Sequence, residues 1–229
     1  MTSTVMGARP DPAVPTASST SRRLALGAIV GPVLFNLTWL VLGFVSTGYT
    51  MFDHRFTSYS PISQPISGLG MGSTAPYMNA AFVITGLILI AGVVGIFQTT
   101  KAIDPRTGGS RVAMFLLACT GVGQVVDGIF NLEAVLPHFI GFVLAMGTPV
   151  IGFLVAGRYF RGIPRWRRFG TWLLLGSPLT AVLLMLFFMT FQPTADGAEH
   201  GVAGLVQRVG VIEMHAWFVA MGWLARRRR

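Results

Sequence analysis

The residues best suited to chemistry in this chain are few, and they stand in apolar surroundings. Thr120, Gln124, Asp127 and Asn131 follow one another at spacings of four, three and four, which places all four on one face of a helix. A second set, Arg208, Glu213 and His215, interrupts the apolar run from Leu205 to Leu224. Arg208 and His215 are seven residues apart and share a face, whereas Glu213 lies five residues on from Arg208, about 140° around a helix. A carboxylate at the centre of a bilayer costs about 2.5–3.5 kcal/mol on insertion scales, so such groups turn toward a bundle interior and a partner.

Pairing is the simplest chemistry for them. Asp127 with Arg208, and Glu213 with His215 or another helix, would act as ties between helices. The same side chains, with Gln124, Asn131 and His138, also suit an outward-facing polar pocket between the third and sixth helices that takes a lipid or small amphiphile. A third arrangement is a metal-dependent hydrolase. Asp127, His138, His200 and His215 supply one carboxylate and three imidazoles, a set compatible with zinc and an activated water. No two of them have the His-x-x-x-His spacing, and His138 opens an apolar span while His215 sits near the middle of another. Glycine-rich phosphate loops, a Gly-x-Ser-x-Gly elbow, a dinucleotide fingerprint and a His-Glu-x-x-His helix are all missing from the sequence, so no catalytic residue and no cofactor is assigned. The remaining ionisable groups, His54, Asp53, Arg55, Glu133, Asp196 and Glu199, fall in or beside loops on the same side of the apolar spans.

The elements that position these groups are six apolar segments, expected as helices over residues 24–45, 77–97, 112–130, 138–156, 171–191 and 205–224. A hydrocarbon core of about 30 Å needs about 20 apolar residues per helix. Composition agrees: of 229 residues, 52% are hydrophobic and only 11% charged, with a mean hydropathy of +0.64, more than one soluble core can hide. The expected fold is therefore all-α, a polytopic membrane bundle of six transmembrane helices. Of 17 Lys and Arg residues, 15 fall in the amino-terminal arm, the second and fourth loops and the carboxyl-terminal tail. Cytoplasmic loops carry the basic excess, so both termini are expected in the cytoplasm and the protein in the cell membrane as a multi-pass chain. The net charge of +9 is spread as short clusters flanking apolar spans, which suits anionic lipid at the cytoplasmic surface rather than nucleic acid.

Residues 1–23, rich in Pro, Ser and Thr before Arg22 and Arg23, are expected as a disordered basic arm. Residues 226–229 are expected as a basic tail. The first span is too long for a signal-peptide core and is expected to stay as a helix. Cys119, the one cysteine, lies within a span and needs no role beyond packing. Pro32, Pro149 and Pro178 predict bent helices, and Gly27, Gly31, Gly86, Gly92, Gly121 and Gly123 predict close helix approach within the bundle. Tyr159, Trp166, Trp172 and Trp223 are expected at the inner interface and Tyr49, Tyr59 and Tyr77 at the outer one. The longest connection, residues 46–76, is expected to fold back as a lid or interfacial segment.

Within that connection the run SYSPISQPISGLG, followed by APYMNAAFVITGLIL, resembles the signature of the bacterial membrane family catalogued as domain of unknown function 998. The resemblance continues through GVGQVVDGIFN around Asp127, His138 at the start of the fourth span, and GLVQRVGVIEMHAW around Arg208, Glu213 and Trp217. It implies a six-helix integral membrane protein, with no catalytic residue to carry over. Three classes of function stay open: binding of a lipid or small amphiphile in an outward-facing polar pocket, a structural or partner subunit of a membrane complex, and a metal-dependent intramembrane hydrolase.

Overall fold

The computed structural model describes residues 18–103, 109–192 and 200–227. Most of the amino-terminal arm, Asp104 and Arg106, Asp196 and Glu199, and Arg228 and Arg229 lie outside the described residues. The fold is all-α, with six helical rods among the described residues. The first rod is α1 (Ser19–Ala25) running into α2 (Gly27–Val45), and the second and third are α3 (Ala75–Ile103) and α4 (Ser110–Ile129). The fourth is α5 (Val135–Phe142), a π turn over Val143–Gly147 and α6 (Thr148–Arg161), and α7 (Arg167–Thr190) and α8 (Ala203–Arg226) complete the set. Five of the rods are long and apolar enough to span a membrane. α8 is not among them, because Gln207, Arg208, Glu213 and His215 interrupt its apolar run.

Each rod packs on its neighbours in sequence, and α8 closes the ring by contacting both α7 and α2. Close approach rests on glycine. A Cβ at Gly92 would collide with the backbone of Gly27 and Ala28, and one at Gly86 with the carbonyl of Gly121, so the expected packing role of these residues holds within the bundle. Pro32 and Pro178 lie inside α2 and α7. Pro149 instead follows the π turn, where the widened turn makes room for a ring that would clash with the carbonyl four residues back.

One end of the ring collects the basic residues. There the Ser21 hydroxyl donates to Gln98 Oε1 at 3.1 Å, the Tyr159 hydroxyl to Thr100 Oγ1 at 3.3 Å, and Arg165 Nη2 to the carbonyl of Arg227. Trp172 and Trp223 are exposed near this end, but Tyr159 and Trp166 are buried. Trp166 stacks on Phe160 with ring centroids 4.6 Å apart, so it belongs to the core rather than to an aromatic belt.

The opposite end is plugged by residues 46–74. A short antiparallel hairpin pairs Tyr49–Met51 with His54–Phe56, the only strands among the described residues. Tyr49 stacks on Phe56, and Tyr49 and Tyr59 are buried where the sequence predicts interfacial anchors. Of the three tyrosines expected at the outer interface only Tyr77 is exposed. After the hairpin, residues 63–71 are buried without a break, including the 3-10 turn Ile66–Gly70. The long connection therefore folds back into the mouth of the bundle.

Candidate functional site

A buried loop must satisfy its backbone polar groups, and α8 does much of this for the plug. Its first turn donates Gly204 N–H to Ser63 O at 3.3 Å and Leu205 N–H to Ile62 O at 2.9 Å. Arg208 Nη1 donates to Pro61 O at 2.8 Å and Gln64 O at 3.0 Å, as well as to Gly204 O one turn back. Arg208 Nη2 donates to the Tyr59 hydroxyl, which in turn donates to Pro65 O at 3.0 Å. The guanidinium also lies over the rings of Trp39 and Tyr59, 5.3 and 5.6 Å from their centroids. Burial raises the Tyr59 hydroxyl above its ordinary pKa, with Arg208 pulling the other way, so it serves as a neutral donor.

The expected pairing of Asp127 with Arg208 is replaced by this arrangement. Arg208 gives its Nη donors to two plug carbonyls, the Tyr59 hydroxyl and the Gly204 carbonyl of its own helix, and no spacing rule in the helices could reveal the plug contacts. Glu213 does not meet His215 either. It accepts from Thr180 Oγ1 at 2.9 Å and from Trp217 Nε1, and so ties α8 to α7. His215 meets Gln124 instead, with Nε2 of each 3.2 Å apart. Since the Gln124 amide nitrogen can only donate, the His215 Nε2 accepts.

Asp127 belongs to a different cluster. Its Oδ1 lies 3.6 Å from His138 Nδ1 and has no hydrogen-bond partner in the protein. His138 Nδ1 is 2.8 Å from Phe130 O, and His138 Nε2 is 3.0 Å from Ser67 Oγ. Beside Ser67, the Ile66 N–H donates to Gln207 Oε1 at 2.7 Å. Asp127 has room because residue 141 is glycine; a Cβ there would collide with the carboxylate. The cluster thus joins α4, α5, α8 and the plug.

Two cavities meet at this cluster. The larger, about 260 Å³, opens beneath the hairpin and is lined by aromatic and aliphatic side chains such as Phe52, Phe139, Phe142 and Phe188, with Ser67, His138, Gln192 and Gln207 as its polar members beside Tyr49. The smaller, about 30 Å³, lies inward among Gln124, Asp127, Ser67, Gln207, Phe142 and Met214. Its volume fits one or two waters. Ser67, Phe142 and Gln207 form walls of both.

The family model described as protein of unknown function (DUF998) matches residues 29–224. The chain belongs to the DUF998 family. No curated protein and no solved structure matches it.

Of the site residues expected from the sequence of this DUF998 protein, Asp127 and His138 come together, and Gln124 joins His215 one layer deeper. Arg208 serves the plug, and Glu213 lies against α7. Asn131 leaves the helical face expected for it, because α4 ends at Ile129 and the Asn131 side chain accepts from Glu133 N–H in the following turn. His200 is exposed just before α8. Among the described residues no group of three or more His, Cys, Asp or Glu is placed to hold a metal ion, so the set Asp127, His138, His200 and His215 is not assembled. The space between the third and sixth helices is the small chamber, while the wide opening lies between α5, α7 and the plug. Ser67 and Gln207 were not among the expected site residues. Their signal was faint: a serine in a buried loop and a glutamine beside an arginine.

Proposed function

We propose that this DUF998 protein spans the cell membrane six times, with both termini and the basic end in the cytoplasm, and binds the chain of a lipid or small amphiphile in the aromatic cavity beneath its outer plug. The sixth span is α8, whose Gln207, Arg208 and His215 are buried against the plug and the other helices and so need not face lipid. The clustered Arg and Lys residues at one end suit anionic headgroups of the cytoplasmic leaflet.

The observation that carries the binding reading is the polarity of the 260 Å³ cavity. Its outer walls are mostly Phe side chains with Val135 at the mouth, and its few polar walls include His138 together with Ser67 and Gln207, the last two shared with the inner chamber. An amphiphile fits such a gradient with its chain among the rings and its polar end at the histidine. At this volume the space suits one chain, since drug-sized pockets start at about 300 Å³.

The test uses a fatty alcohol bearing a diazirine on its chain, photolysed with the detergent-solubilised full chain and mapped by peptide mass spectrometry. Adducts should fall on α5, α7 and the hairpin. Val135 is exposed at the mouth, so Val135→Trp should block entry, cutting adduct yield about tenfold with an unchanged melting temperature. Adducts spread over all lipid-facing helices, or yield unaltered by Val135→Trp, would refute the reading.

A further inference from the structure

We infer that Ser67, His138 and Asp127 form an acyl-transfer centre that hydrolyses carboxylic esters of single-chain amphiphiles, with Ser67 as the nucleophile. The inference rests on the proposed chain-binding role of the aromatic cavity, where Ser67 and His138 line the wall.

The hydrogen bonds set the roles. Phe130 O can only accept, so the 2.8 Å contact puts the imidazole proton on His138 Nδ1. Nε2 then presents its lone pair to Ser67 Oγ at 3.0 Å, the relation of a general base to a hydroxyl nucleophile. The third group of such a constellation holds the ring and stabilises the imidazolium that forms when Nε2 takes the proton. Here the two tasks are divided. Phe130 O holds the ring, and the Asp127 carboxylate, 3.6 Å from Nδ1 with Oδ1 otherwise unpartnered, faces the place where positive charge develops. Gln207 supplies the remaining part. Its Oε1 is held by Ile66 N–H at 2.7 Å, which leaves Nε2 as the amide donor for an occupant of the two cavities it lines, in the role of an oxyanion donor.

The reaction needs only an ester and water. Ser67 Oγ bonds to the ester carbonyl carbon as the hydroxyl proton passes to His138 Nε2, and the carbonyl oxygen takes the charge beside Gln207. Collapse breaks the bond to the alcohol oxygen, which leaves with the proton from Nε2 and gives acyl-Ser67. A water then adds to the acyl carbon, gives its proton to Nε2, and the acyl–Oγ bond breaks to release the acid as Ser67 regains its proton. The 30 Å³ chamber that shares Ser67 as a wall has the size for that water.

The detergent-purified full chain is treated with an alkyl fluorophosphonate, which phosphonylates activated serines, and the adduct is located by peptide mass spectrometry. A single adduct on Ser67 is expected in the unaltered protein, a readout that needs no variant to fold. Hydrolysis of p-nitrophenyl octanoate should disappear in Ser67→Ala. Asp127 acts through His138 as a positioning residue, so Asp127→Asn should lower kcat at least tenfold with KM unchanged. The diazirine alcohol is run in parallel. Its adducts in the cavity without phosphonylation of Ser67, or octanoate hydrolysis persisting in Ser67→Ala, would overturn the esterase inference and leave the binding reading standing. Phosphonylation of Ser67 with no cavity adducts would keep the nucleophile and overturn the chain-binding reading; absence of both would end both.

Discussion

Arg208 shows how a single side chain fixes a buried loop. Three carbonyl oxygens and the Tyr59 hydroxyl accept from it, and a buried acceptor left without a donor costs about 1–3 kcal/mol. Arg208→Met should therefore destabilise the protein by about 3–5 kcal/mol, in the range for breaking a buried charged network, and open the SYSPISQPISGLG run to proteases at temperatures where the helices persist. Limited proteolysis alongside thermal unfolding in detergent checks this; a plug that stays protected would show that Gly204, Leu205 and Gln207 hold it without the guanidinium. Gly141 makes a narrower case. A methyl group there meets the Asp127 carboxylate, and overpacking costs about 1–3 kcal/mol. Gly141→Ala should lower stability by that amount, with Asp127→Ala recovering part of the loss in the double variant. At this scale the sequence was legible in kind but not in pairing. The four-three-four spacing put Thr120, Gln124 and Asp127 on one buried face, yet Ser67 and Phe130 O reach His138 only through the path of two loops, and loop paths leave no periodicity to read.

Helices were legible for the opposite reason, since apolar runs write themselves into composition. All six expected segments are helical, and their ends at the basic side extend further than the apolar runs: to Ser19 rather than Leu24, to Ile103 rather than Phe97, and from Arg167 rather than Thr171. Hydropathy marks where hydrocarbon ends, whereas a helix continues until its backbone is capped or broken. At Ser18 the cap is explicit, its Oγ accepting from Ser21 N–H at 3.1 Å. The hairpin is the element that hydropathy could not supply. Its two-residue turn sets Phe52 at φ 47° and Asp53 at φ 64°, a left-handed pair that Asn-Gly adopts with least strain. A bulky residue held there costs on the order of 1 kcal/mol or more. Phe52 also lines the mouth of the aromatic cavity. Replacing Phe52 and Asp53 by Asn and Gly should thus stabilise the hairpin by about 1 kcal/mol while reducing capture of the diazirine alcohol, a trade visible by measuring melting temperature and adduct yield on one sample. Gains in both would separate the turn from the cavity.

For the whole molecule, the physical consequence of sequential packing around a ring is that every second connection lies at the same end. The contacts of Ser21 with Gln98, Tyr159 with Thr100 and Arg165 with Arg227 gather the basic segments at one end, and the plug, His138 and the cavity mouth occupy the other. Orientation then reduces to a single choice, and the proposed one sets the excess of Lys and Arg against the cytoplasmic leaflet, where each such charge near anionic lipid is worth about 1 kcal/mol. Labelling in intact cells decides whether the cavity faces outward. In a Cys119→Ala background, Phe52→Cys, exposed at the hairpin tip, should react with a membrane-impermeant maleimide from outside. Arg168→Cys, exposed in the first turn of α7, should react only after permeabilisation. The reverse pattern would place the aromatic cavity toward the cytoplasm, so that any amphiphile reaching His138 would come from the inner leaflet and the basic end would face away from the anionic lipid that its charge best matches.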